Sequence, residues 1–233
     1  MAGRIAYYGN IVKDGLVLDL DAAKRDSYPG SGTTWSDVSG FQNNFTLVNG
    51  PTFNSGSGGS IVFDGVDDYV SCSSLSNYNF GTALTVEIIH KNIGGDYRGV
   101  IANVYTTLTG FDLRYGRENY SGGTNNGTRL GCSIRTSVSN YSVNINAELN
   151  VWGHYVFTYN NSILQSYKNG LPFTNIPATG SLGSVANGVF IGSRTVGGEY
   201  LSGPLSIAKI YNRALSPEEI QQNYNATKGR FNL

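Results

Sequence analysis

Trp152-Gly153-His154-Tyr155-Val156-Phe157-Thr158-Tyr159, then Asn160-Asn161, then Ser162-Ile163-Leu164-Gln165-Ser166-Tyr167-Lys168-Asn169-Gly170, reads as a β-hairpin. Asn tolerates the positive φ of a tight turn, so Asn160-Asn161 is the expected two-residue connection. Neighbours along a strand face opposite ways, which sets Tyr155, Phe157 and Tyr159 on one face and His154, Val156 and Thr158 on the other. Both faces carry apolar bulk. The first arm is therefore a central strand, with a core on one side and a covered or ligand-facing surface on the other. Asn169-Gly170 predicts a second tight turn before Pro172-Phe173.

Outward from this hairpin the chain is a series of short strands cut by Gly, Asn and Ser. Leu16, Leu18 and Leu20 alternate with Val17, Asp19 and Asp21, which predicts a strand with one buried side. Further strands are expected at 45–48, 60–63, 69–72, 84–90, 100–104, 111–115, 130–135, 143–147, 189–192 and 205–211. One segment reads helical. Ser216 is the N-cap, Pro217 stands at the first helical position, and Glu219 completes a capping box, with the end near Ala226. Leu215, Ile220 and Tyr224 give this helix a narrow apolar stripe that closes the domain.

The chain has 233 residues, enough for one large all-β domain. Lys+Arg and Asp+Glu are 16 each, which leaves no electrostatic footprint for nucleic acid or an anionic membrane. No apolar run is long enough to span a bilayer, and residues 1–8 lack the apolar region of a secretory signal. Residues 1–13 read as an arm and 14–233 as the domain. The arm, with Ile5, Tyr7 and Tyr8, has no core of its own and is expected to serve attachment or swapping. Cys72 and Cys132 are expected as buried free thiols.

Several stretches resemble the LamG-like, concanavalin A-like lectin/glucanase jelly rolls. They are GLVLDLDA (15–22), WSDVSG (35–40) with Asn43-Asn44, FDGVDDYV (63–70), LTVEIIHK (84–91), WGHYVFTY with SYKNG (152–170), and IYNRALSPEEIQQNYNATKGRF (210–231). They fall in family order. The resemblance implies an all-β concanavalin A-like β-sandwich (jelly roll) with one short C-terminal helix. Among relatives, it is nearest to modules of tailed-phage virion proteins. It implies a non-enzymatic module at the virion surface, present in many copies and bound to other virion proteins or host surface glycans. A glucanase-like enzyme and a bacterial cell-surface adhesion module are the alternatives.

Glycoside hydrolysis needs two carboxyls flanking the bond. Glu87 stands alone on its strand, where glucanases of the fold carry a Glu-x-Asp-x-Glu cluster, so no catalytic residue is expected and Glu87 reads as a structural residue at a sandwich edge. Sugar binding needs exposed aromatics and hydroxyl-bonding side chains. Tyr97, Tyr115, Arg117 and Tyr120 are the candidates, with Arg98, Asn125, Asn126, Tyr141 and Arg194 nearby. No cofactor is expected. Calcium is the one ion to weigh, because it takes oxygen ligands in irregular loops. Its candidates are the cluster Asp64, Asp67 and Asp68, then Asp19 with Asp21, and Asp37 with Asn43 and Asn44. A tight turn held by Asx hydrogen bonds is the competing reading of Asp64–Asp68. Relatives often carry Asp at the position of Ser206, which weakens a metal site here.

Overall fold

The computed structural model describes residues 10–73, 75, 79–95, 97–103, 110–116, 127–183, 188–195 and 198–233. In chain order the strands are β1 (Leu16–Asp21), β2 (Thr34–Trp35), β3 (Phe45–Val48), β4 (Thr52–Asn54), β5 (Ser60–Asp64), β6 (Tyr69–Cys72), β7 (Leu84–Lys91) and β8 (Arg98–Ala102). They continue as β9 (Gly110–Tyr115), β10 (Arg129–Arg135), β11 (Asn140–Asn146), β12 (Trp152–Tyr159), β13 (Ile163–Lys168), β14 (Leu171–Pro177), β15 (Val189–Ile191) and β16 (Ser202–Tyr211), followed by the helix α1 (Pro217–Thr227). Among the described residues these form two antiparallel eight-stranded sheets. The first runs β14-β13-β12-β7-β16-β5-β4, with β1 also paired to β16; the second runs β11-β10-β9-β8-β15-β6-β3-β2. This is the β-sandwich that the alternation predicts.

The hairpin sits inside the first sheet, β12 pairing with β13 from Tyr155↔Lys168 to Tyr159↔Leu164. Its turn is one residue later than expected. Asn160 N donates to Ile163 O at 3.4 Å, which centres the turn on Asn161-Ser162, and Asn161 takes the positive φ of 62°. The Asn160 side chain accepts from the amides of Ser162 and Ile163 at 3.1 and 2.9 Å and fixes that register. Tyr155, Phe157 and Tyr159 face the inter-sheet core, while Val156 lies in a second apolar cluster with Leu16, Tyr167, Tyr211, Leu215 and Ile220. The outer face of the first sheet is thus sealed by α1.

Two readings of the strands are corrected. β1 does not alternate cleanly. A register shift between Leu16 and Leu18 sends Val17, Leu18 and Leu20 to the inter-sheet core and Leu16 to the cluster under α1, and all six β1 residues are buried. The chain after Asn169-Gly170 is also a strand, β14, despite Pro172 and Pro177. Only β13 pairs with it, and proline's missing N–H is tolerated on a sheet edge.

The helix is capped as read. Glu219 N donates to Ser216 Oγ at 3.3 Å and Ser216 N donates to Glu219 Oε2 at 2.9 Å, while Arg213 holds the Glu219 carboxylate at 2.6 and 2.7 Å. Ser216→Ala is expected to cost about 1 kcal/mol, a drop of roughly 2–4 °C in thermal midpoint for a domain of this size. An unchanged midpoint would remove the cap from the list of stabilising contacts. The segment before β1 is fastened to the same helix: Val12 N donates to Asn223 Oδ1 at 2.8 Å, Gln222 Nε2 to Asn10 O at 2.6 Å, and Val12 is buried. Residues 1–9 of the predicted arm lie outside the described residues. Cys72 and Cys132 are buried free thiols. No helix is long and apolar enough to cross a membrane among the described residues.

Candidate functional site

The acidic loops are accounted for largely by their own hydrogen bonds. Asp37 Oδ1 accepts from the amides of Asp19 and Ser39, each at 2.9 Å, and Oδ2 from Ser39 Oγ at 2.7 Å and Asn43 N at 3.0 Å. Four donors leave that carboxylate as a loop clamp under WSDVSG. Asp19 faces Lys24 at 3.3 Å, and Asp21 takes both oxygens to Arg230 at 3.0 and 2.8 Å. Ser206 Oγ donates to Gly59 O at 2.6 Å and accepts from Arg230. The predicted cluster Asp64, Asp67 and Asp68 does converge, one carboxylate oxygen from each lying within 4.8 Å of the others. Asp64 Oδ1 accepts from Val66 N at 2.8 Å, and Asp68 Oδ2 accepts from Asp64 N at 3.0 Å. Those are the Asx bonds of the tight turn. Burial, with the charges of Asp64 and Asp67 beside it, pushes the Asp68 carboxyl up. Calcium takes six to eight oxygens, and two of the six carboxylate oxygens of this cluster already accept the amides of the turn.

Glu87 is not at an edge. It lies on β7, between β12 and β16, and is fully buried beneath α1. Lys209 Nζ donates to it at 3.1 Å and Asn223 Nδ2 at 2.6 Å, with His154 Nε2 at 3.4 Å. Burial alone would raise this carboxyl; Lys209, aided by His154 and Asn223, outweighs burial and holds it down at about 2. No substrate reaches a group enclosed in this way, so its role is to join α1, β7 and β16.

The outer face of the second sheet is built differently. In β10 and β11 the inward residues Leu130, Cys132, Ile134, Val143 and Ile145 are buried and Tyr141 is half-buried against the core, while Arg129, Gly131, Ser133, Ser142, Asn144 and Asn146 point outward. The registers align one continuous row across this face: Thr34, Thr46, Ser71, Phe190, Ala102, Asp112, Ser133 and Ser142. The side chains of Tyr69 and Tyr200 stand by Phe190, with ring centres 6.2 Å from Tyr69 to Phe190 and 6.5 Å from Tyr69 to Tyr200. Half-buried Tyr69 and Tyr200 on one side, and hydroxyls and amides on the other, thus flank a centre where Phe190, Ala102 and Asp112 are buried.

At its centre lies a ring of charges. Asp112 receives Arg194 Nε at 3.1 Å and Arg114 Nε at 3.4 Å; Glu199 receives Arg114 Nη1 at 3.0 Å on both oxygens and Arg194 Nη1 at 3.7 Å. Gly99 makes this possible. A Cβ there would lie 2.3 Å from Arg194 N, so glycine lets residues 193–194 cross over β8 and bring Arg194 above Asp112. Arg114 Nη2, Asn103 Nδ2 and Ser193 Oγ are buried in this neighbourhood without a hydrogen-bond partner among the described residues.

The predicted sugar contacts fare unequally. Tyr97 is 47% exposed, with φ of 54°. Tyr115 is corrected: it is 1% exposed, and its hydroxyl lies 2.7 Å from His90 Nε2 in the core. Strand β9 alternates, and Tyr115 shares the inward face with Phe111 and Leu113. Arg98 ties Gly65 O to Tyr200 O at 2.7 and 2.8 Å. Arg117, Tyr120, Asn125 and Asn126 lie outside the described residues.

The sequence profile described as the concanavalin A-like lectin/glucanases superfamily matches residues 63–221. The chain belongs to this superfamily. No curated protein sequence matches it. Domain 4 of AbnA, an extracellular arabinanase of Geobacillus stearothermophilus, solved with arabinotriose, superposes with a TM-score of 0.69 at 15% identity, covering 90% of this chain and 98% of that one. The binding domain of Paraclostridial Mosquitocidal Protein 1 superposes at 0.65 with 16% identity over 92% of this chain. A chain of botulinum neurotoxin type C, whose cell entry depends on two ganglioside molecules, superposes at 0.64 with 14% identity over 93% of it. This chain spans about half of each toxin chain, 52% in both. Within the superfamily frame, sequence reasoning found Arg194 and missed Asp112, Arg114 and Glu199. Asp112 and Arg114 carried a signal, being charged residues that alternate with Phe111, Leu113 and Tyr115 along one strand.

Proposed function

We propose that this chain is a non-catalytic carbohydrate-binding module whose ligand surface is the outer face of the second sheet. The observation that carries this is the asymmetry of the two faces. One is covered at its centre by α1, and the other presents the hydroxyls and amides of Ser133, Ser142 and Asn144 on one side of a buried centre at Ala102, Asp112 and Arg114, with half-buried Tyr69 and Tyr200 on the other. The arabinotriose bound by the arabinanase domain supports the ligand class. The engagement of Asp112 and Glu199 by two arginines each supports the absence of catalysis, because a general acid or nucleophile needs a free carboxyl. Monovalent affinity on an open sheet face is expected to be millimolar, about −4 kcal/mol. Many copies raise avidity by about 10² or more. The sequence resemblance to phage modules supports display on a virion surface, which mass spectrometry of purified particles tests.

The ligand face is tested on a glycan array with the chain displayed multivalently. Ser133→Trp places bulk in the middle of the row and is expected to weaken glycan retention at least tenfold with the thermal midpoint unchanged. Retention at the unmutated level would exclude this face. Release of reducing ends from any bound glycan would overturn the non-catalytic reading.

A further inference from the structure

The terminal strands of the two sheets, β11 and β14, border a cleft of about 260 Å³ lined by Arg129, Ser142, Asn144, Asn146 and Phe173, among others. It adjoins the end of the polar row, since Ser142 belongs to both. We propose that this cleft binds one carboxylate-bearing sugar ring, of the hexuronic or sialic acid class. The proposal rests on the carbohydrate-binding reading and adds the ligand's charge and its subsite.

The volume lies below the roughly 300–1,000 Å³ of sites for drug-sized ligands, which suits a single ring rather than an oligosaccharide. Phe173 is 47% exposed and offers an apolar ring at the cleft. Arg129 is exposed and forms no ion pair among the described residues, and no Asp or Glu lines the cleft. Its guanidinium is the one charge among the described residues lining the cleft, and a guanidinium matches a carboxylate with two parallel hydrogen bonds. The register places Arg129 opposite Asn146, and Gly131, next outward on β10, opposite Asn144. Both amides thus stand beside the guanidinium, free of partners among the described residues and able to bond ring hydroxyls. The edge itself argues against a peptide in this place. Pro172 and Pro177 remove donors from β14, which blunts the strand addition that an exposed edge otherwise invites.

The test is an NMR titration of the whole chain with methyl glucuronide, methyl galacturonide and N-acetylneuraminic acid, against methyl glucoside and methyl galactoside. At least one acidic sugar is expected to shift the Asn144 and Asn146 side-chain amides saturably, at least tenfold more tightly than the neutral sugars. Arg129→Gln is expected to abolish that preference and Phe173→Ala to weaken every sugar bound there. Acidic-sugar binding that survives Arg129→Gln overturns the proposal. So do unshifted cleft amides in a chain that binds neutral glycans on its outer face, and in that case the carbohydrate-binding reading stands. Failure of every glycan on the array and in the titration overturns both. A matching thermal midpoint for Arg129→Gln establishes that the variant is folded.

Discussion

Lys209→Met is expected to destabilise the fold by about 3–5 kcal/mol, the cost of leaving one member of a buried ion pair alone. Lys209 and Glu87 are both fully enclosed, 3.1 Å apart, under α1. Burial pushes the Lys209 ammonium down, but Glu87, with Asp19 and Asp21 beyond it, outweighs burial and raises it. Methionine fills much of the lysine's volume, so the loss reports charge rather than a cavity. Without Lys209, burial dominates at Glu87 and its carboxyl rises above its ordinary value. The penalty then holds at neutral pH and is relieved as acid protonates the group, so the variant should gain on the unmutated chain as pH falls. Adding Glu87→Gln to Lys209→Met should recover most of the loss, because a neutral amide can still accept from Asn223. Urea unfolding of the unmutated chain, the single variant and the double variant measures this. A single-variant loss below about 1 kcal/mol would mean that water already screens the pair.

Acid should weaken the unmutated protein in two successive windows that meet between pH 4.5 and 4. His90 is buried, and burial drives its imidazole down from 6.5 to about 4, with a partial opposing effect from Pro204 O. Nδ1 faces that carbonyl at 3.3 Å, which assigns the proton there and leaves Nε2 to accept from Tyr115. The unfolded chain binds a proton to His90 below pH 6.5, whereas the folded chain does so only below about 4. Stability associated with this residue is therefore complete above 6.5 and lost as pH falls toward 4, by about 3 kcal/mol at about 1.4 kcal/mol per pH unit. Glu87 acts lower. Its depressed carboxyl contributes stability present above 4.5 and lost as pH falls to about 2. His90→Gln should flatten unfolding free energy between pH 6.5 and 4.5 and leave the steeper fall below 4.5. An equal slope with and without His90 would refute the assignment.

Local patterns carried much of this structure on the surface of the sequence. The capping box at Ser216 and the Asx turn of Asp64–Asp68 are contacts between residues two to four apart, so residue type alone dictates them. The alternation of β12 placed Tyr155, Phe157 and Tyr159 together and made it a central strand with apolar bulk on both faces, because period two is a property of the single strand. Where a bulge interrupts the period, as at Leu16, the same reasoning assigns the wrong face, since the bulge arises from pairing with β16.

Tertiary structure alone decided which group covers which face. Glu87 reads as a solitary structural acid at a sandwich edge until β16 supplies Lys209, 122 residues away, and α1 supplies Asn223. Tyr115 reads as a loop aromatic until register turns it inward against His90. The ring of Asp112, Arg114, Arg194 and Glu199 joins residues up to 87 apart, counting from 112 to 199, and the cleft joins strands at the ends of different sheets. Such partners are set by strand order and register, which depend on every pairing in the sheet at once. Periodicity therefore determined the sandwich and its helix, while the charges that stabilise it and the surface open to a ligand were determined by the packing of the two sheets.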